Sequence, residues 1–160
     1  MAVDMFLKLD DVQGESQDKT HKGEIDILAW SWGMSQSGTT HAGGGSGSGK
    51  ASFQDISVTK YVDKASSSLM RMCAKGTHIP KGQLTVRKAG DTPLEYIVMK
   101  LENILVTSVS TGGSGGEDRL TENISLNFAK LDYVYKEQSG KGSSATDMPF
   151  KADIPGNDFS

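Results

Sequence analysis

The sequence predicts a mainly β fold, a closed or nearly closed antiparallel barrel with one α-helix against its side. Three observations predict it. Most blocks of the chain alternate apolar and polar residues, the period of a half-buried strand. One stretch alone repeats apolar residues at helical spacing. The 19 glycines gather in runs that separate the patterned blocks. At 160 residues the chain is long enough for a single core.

Short strands are expected over residues 5–9, 25–34, 53–62 and 84–88. In the second, Ile25 and Ile27 share one parity, and Leu28, Trp30, Trp32 and Met34 share the other. Both tryptophans are read as core anchors. Opposite them stand Ala29, Ser31, Gly33 and Ser35, a face small enough for solvent, a partner or another backbone to lie close. After the third strand, Asp63 or Ser66 can cap a helix whose Leu69, Met72 and Cys73 fall at i, i+3, i+4. Lys75 fills its last turn, and Gly76 sits where a left-handed terminator belongs.

Further on, Ile97, Met99, Leu101 and Leu105 alternate opposite Lys100 and Glu102. Ile124, Leu126 and Phe128 alternate in turn, and near Lys130 the phase flips to Leu131, Tyr133 and Tyr135. A flip without a break means either a bulge or a strand crossing between two sheets. The barrel domain is placed at 1–137. The tail 138–160 has no readable pattern, and whether it adds a strand or hangs free is open. The glycine runs at 41–50, 111–116 and 139–144 read as flexible loops.

The charge, -3 from 17 basic and 20 acidic residues, shows no basic run and argues against nucleic acid. One cysteine, Cys73, allows no internal disulfide and reads as a small apolar residue. The segment from Met1 to Phe6 lacks the basic and apolar parts of a signal peptide. No apolar run approaches the ~18–20 residues a spanning helix needs, so no membrane insertion is expected.

No constellation carries catalysis, a cofactor or a metal. Gly44 to Lys50 matches G-x-x-x-x-G-K, yet Ala51 follows where Ser or Thr must hold magnesium. The next residues alternate like a strand, whereas a phosphate loop needs a helix N-terminus. His21, His41 and His78 lack zinc spacing and read as solvated or locally bonded. Ser110 and Ser114 lack the context of a hydrolase nucleophile. Glu117, Asp118, Arg119 and Glu122 suggest acid–base work or calcium less than a surface ion-pair knot. The use that remains for Glu117, Asp118 and Arg119 is contact with another copy of the chain.

Several stretches together resemble the haemolysin-coregulated (Hcp) proteins of type VI secretion. They are Asp18-Lys19-Thr20-His21, the run from Ile27 to Gly38, Thr59-Lys60-Tyr61-Val62-Asp63-Lys64, the run from Leu84 to Gly90, and the run from Ser108 to Phe128. The resemblance covers Met1 to about Tyr135. It implies a two-sheet antiparallel β-barrel with one flanking α-helix, assembled as a homo-hexameric ring. It implies rings stacked into a tube inside a contractile sheath, capped by a spike protein, with effector proteins in the lumen. The subunit would be cytoplasmic before firing and then secreted without a signal peptide. Two departures stand out: Ala65-Ser66-Ser67-Ser68 opens the helix without a proline, and the tail is too short for a fused effector domain.

Within that resemblance, the loop 39–50, with Thr39, Thr40, His41 and Lys50, is the candidate for contact with the next ring. Ser31, on the small face, is the candidate for lumen and effector contact. The runner-up reading is a small-ligand-binding barrel, which needs an apolar pocket with aromatic platforms; an enzyme comes third.

Overall fold

The computed structural model describes residues 3–38, 50–89, 94–137 and 147–160. Along the chain come β1 (Val3–Leu9), β2 (Ile25–Asp26), β3 (Ala29–Ser31), β4 (Met34–Gln36), β5 (Ala51–Phe53) and β6 (Ile56–Tyr61). The helix α1 (Ala65–Lys75) follows, then β7 (His78–Lys88), β8 (Leu94–Thr111), β9 (Thr121–Lys136), β10 (Asp147–Asp153) and β11 (Asp158–Phe159). The main sheet has the order β11-β10-β9-β8-β7-β1-β2, with β6 also on β9 and β3 on β6, all antiparallel.

Among the described residues no single strand closes this sheet into a barrel. The gap is spanned by the segment from Ile25 to Ser31. Ile27 donates its amide to the Met5 carbonyl, and the next residue, Leu28, donates to Thr59 on the other side. The expected single strand over 25–34 is therefore three short ones. The parity change between Ile27 and Leu28 marks the first break. Ile25 and Ile27 are buried and Trp30 and Trp32 pack half-buried on the core, but Leu28 and Met34 are exposed.

β9 carries the phase flip that the sequence shows, and the structure resolves it as a crossing. Residues Thr121 to Leu126 pair with β6, whereas Lys130 to Lys136 pair with β10. β8 runs beside β9 throughout and flips at the same level. Asn103 there has φ 55, and it lies between the pairs Glu102–Lys130 and Ile104–Phe128. A residue in the left-handed region rotates the strand, so Leu101 and Ile104 are both buried. This corrects the expectation for Leu105, which is only half-buried while Ile104 and Val106 enter the core.

The helix ends as its residues dictate. Asp63 accepts the Ala65 amide at 2.9 Å and Ser66 accepts the Asp63 amide at 3.1 Å. Gly76 closes the other end at φ 63, with Thr77 donating back to Met72. Leu69 is fully buried, and Met72 and Cys73 lean on the same core, so α1 is held by one apolar stripe. The described part of the tail adds β10 and β11 to the sheet edge and sends Ala152 into the core.

Candidate functional surface

β3, β6, β9 and β8 lie side by side, and their register aligns short hydroxyl side chains across all four. Ser31 pairs with Ser57, Ser57 with Ser125, and Ser125 with Ser108. The neighbouring row is Ala29, Thr59, Asn123 and Ser110. Within it the Thr59 hydroxyl donates to Asn123 Oδ1 at 2.7 Å. Side chains alternate across a strand, so the residues between these rows point the other way. There Trp30, Val58, Ile124 and Val109 face the core. Ser31 is exposed, as the small face implied, and it belongs to a broad uncharged plane.

One edge of the plane is fixed by Asp55. Its carboxylate accepts from Thr107 Oγ1 at 2.6 Å and from Asn127 Nδ2 at 2.9 Å. Thr107 sits at a register shift in β8, between Val106 and Ser108, and that bulge brings its hydroxyl to Asp55.

β4 and β5 form a separate two-stranded sheet with Met34 opposite Phe53 and Gln36 opposite Ala51. At its end Ser37 and Lys50 bond each other, with the Lys50 amide 3.2 Å from Ser37 Oγ. Lys50 is exposed; Thr39, Thr40, His41 and residues 43–49 lie outside the described residues. Ala51 begins a strand, so the glycine–lysine motif lacks the helix a phosphate loop requires. An open cleft of ≈ 610 Å³ lies beside this hairpin, lined among others by Phe53, Gln54, His78, Asn127 and Phe128; neither tryptophan lines it.

Glu117, Asp118 and Arg119 are exposed in the turn between β8 and β9. The expected ion-pair knot with Glu122 is not what the structure shows. Arg119 lies over the Tyr61 ring at 3.7 Å, and Glu122 is buried. The reason is parity: Glu122 shares the inward face of β9 with Ile124 and Leu126, and Arg119 precedes the strand.

Glu122 instead meets Lys60, whose side chain is fully buried. Lys60 Nζ lies 2.5 Å from Glu122 Oε1 and 2.8 Å from Asp63 Oδ1, and donates to the Tyr61 carbonyl at 2.9 Å. Ser66 donates to the same Glu122 oxygen at 2.6 Å. This cluster ties β6, β9 and the start of α1 together beneath the hydroxyl plane. Parity places Lys60 inward after Ile56 and Val58, but nothing in that segment names its partner Glu122 on another strand.

A second cluster covers the far face of β1 and β7. Arg87 Nη2 lies 2.5 Å from Asp18 Oδ2 and 3.2 Å from Asp4, and its guanidinium stacks over Phe6. The hydrogen bond from Arg87 holds the Asp18 carboxyl well below the usual carboxylate range, and Asp18 in turn pushes Arg87 up. His21 stacks on the same Phe6 ring at 4.4 Å, with Nδ1 2.8 Å from Glu24 and Nε2 2.6 Å from Glu95. Locally bonded is thus the right description for His21, and for His78, whose Nδ1 meets Asn103 at 2.8 Å. Among the described residues no group of His, Cys, Asp and Glu has the arrangement of a metal site, and no helix is long and apolar enough to cross a membrane.

Comparison with known proteins agrees with this architecture. The family described as "Type VI secretion system effector, Hcp" matches residues 6–135. "Protein hcp1" of Pseudomonas aeruginosa is 59% identical over 144 residues, 89% of each chain. Hcp1 from Salmonella typhimurium is 33% identical with a TM-score of 0.80, covering 100% of both chains. A type VI secretion system effector from Yersinia pestis is 36% identical with a TM-score of 0.76, over 93% of this chain and 100% of that one.

Proposed function

The chain belongs to the Hcp family and is a tube protein of the type VI secretion system, and we propose that it works as a homo-hexameric ring. Rings stack into a tube within a contractile sheath and beneath a spike protein, and effector proteins travel in the lumen. The subunit is cytoplasmic until firing and is then released to the medium or a target cell. It acts as a wall and carrier and performs no catalysis.

The observation that carries the lumen reading is the aligned row Ser31, Ser57, Ser125 and Ser108. A conduit wall must tolerate many cargo surfaces. Short uncharged hydroxyls adapt their hydrogen bonds and present no fixed charge to repel a cargo. Ser31, on the outermost of the four strands, is the lumen and effector contact. The residues 39–50 join β4 to β5, a two-stranded sheet separate from the main one, and that separation supports a role in ring stacking. Glu117, Asp118 and Arg119, exposed in one turn, supply a subunit contact.

Electron microscopy of the purified protein tests the assembly: rings with a central hole are expected, and monomers with an occupied cleft would favour a ligand-binding barrel. Ser31→Gln is expected to lower effector retention while rings persist. Loss of rings in that variant would make Ser31 a packed residue. Deleting residues 43–49 is expected to abolish tube assembly and secretion; unchanged tubes would sink the stacking role.

A further inference from the structure

Beyond the crossing at Asn103, the outward face of the sheet changes character. Leu101, Leu131 and Ala152 point into the core from β8, β9 and β10. The residues flanking them point out, two rows of three, because strand side chains alternate with period two. In one row Lys100 pairs with Asp132, and Asp132 with Lys151. In the next Glu102 pairs with Lys130, and Lys130 with Asp153. The signs read plus, minus, plus above minus, plus, minus.

Opposite charges directly across a strand pair attract. Yet among the described residues none of these six closes an ion pair within 4.0 Å; the ion pairs present involve other side chains. Asp132 Oδ1 is shielded from solvent and accepts no hydrogen bond. The six border an open cleft of ≈ 400 Å³. The charges are thus laid out in register but not consumed by one another.

A surface of alternating sign fits neither a polyanion nor an anionic membrane, both of which call for one sign. It fits a surface of the inverse pattern. Rotating this face by a half turn about an axis that lies across the strands, between the two rows, lays each row on the other. Lys100 then meets Glu102, Asp132 meets Lys130, and Lys151 meets Asp153, each twice. A half turn about an axis along β9 would instead lay each row on itself, like on like.

We infer that this face of β8, β9 and β10 docks against the same face of a second copy of the chain, with the two-fold axis across the strands. Such a contact is isologous and closes at two. It is therefore distinct from the head-to-tail contacts that a ring or a stacked tube needs, and it joins one such unit to another.

The test is sedimentation velocity on the full chain. Unit mass reports the ring reading, and doubling of that unit reports this contact, so the two fail separately. The wild type is expected to double at low salt and to revert at high salt, where screening shortens the reach of the charges. Asp132→Lys and Lys130→Asp each convert two attractive pairs into repulsive ones, and each is expected to weaken doubling about tenfold or more. Mixing the two variants restores opposite signs at every position and should restore doubling, as should the double exchange in one chain. A wild type that stays at unit mass in low salt overturns the inference. So does a mixture that doubles no better than its components, or a double exchange no better than either single. Should a variant fail to fold, the salt response of the wild type still decides.

Discussion

Replacing Lys60 with methionine removes the one cation from a buried group of three charges. Lys60, Glu122 and Asp63 have side-chain exposures of 0%, 0% and 8%. Without Lys60, two carboxylates remain in a dry site, and Glu122 keeps only the Ser66 hydroxyl as a donor. An unpaired buried charge of this kind costs about 3–5 kcal/mol. Glu122→Gln is different in kind. It leaves Lys60 facing Asp63 at 2.8 Å, one charge against one, and keeps the side chain's shape. The loss is then that of a weakened buried hydrogen bond, about 1–3 kcal/mol. Lys60→Met should therefore be the worse variant by about 2 kcal/mol, the difference between those ranges. Adding Glu122→Leu to Lys60→Met removes one of the two stranded carboxylates and should recover part of the loss, Asp63 remaining without its cation. Urea denaturation at matched protein concentration measures this, as midpoint shifts at constant slope. If Glu122→Gln cost as much as Lys60→Met, or if the double variant were additive, the charge count in the site would not be what sets its energy.

Two further outcomes are expected. Asp18 has a folded pKa below its unfolded value of about 3.9. Its contribution to stability is whole above that value and is lost as pH falls below it, so Asp18→Asn should lower the urea midpoint above about pH 5 and converge on the wild type in acid. At Asn103, φ 55 disfavours a β-branched side chain; Asn103→Val should cost about 1–2 kcal/mol and Asn103→Gly less, read as shifts in the thermal midpoint.

The strands and the helix were legible because period two and the i, i+3, i+4 spacing are written in single residues. The phase flip in β9 was legible too, since Phe128 and Leu131 break parity without any turn residue between them, but parity left a bulge and a crossing equally open. Its counterpart in β8 was not: Asn103 adopts a left-handed backbone without any apolar signature, so Leu105 looked inward and Ile104 did not. The alternation from Leu28 to Met34 outran its own strand, because parity is blind to hydrogen bonding and cannot show that Leu28 and Met34 lack a cover. Met148, Phe150 and Ala152 do alternate in the tail, but Pro149 among them obscures the strand they form. For the hydroxyl plane, Ser31 was found from its own strand alone. Ser57, Ser125 and Ser108 join it only through register, a relation between strands that no single segment encodes. Lys60 and Glu122 failed for the same reason. Each is a charge at an apolar parity, and only their pairing across strands makes that favourable.

The antiparallel run of β8 against β9 also has a mechanical consequence. It pairs Ile97 with Tyr135 at one end and Thr111 with Glu122 at the other. A pull along these strands loads the whole ladder in shear, so its hydrogen bonds resist together. β11 is held to β10 over a short register, Ala152–Phe159 and Asp153–Asp158, with Lys151 and Ser160 exchanging backbone hydrogen bonds beside it. A pull across that edge peels it one pair at a time. A subunit that must survive being thrust from a cell thus carries a stiff spine under tension along one direction and a yielding hem along another.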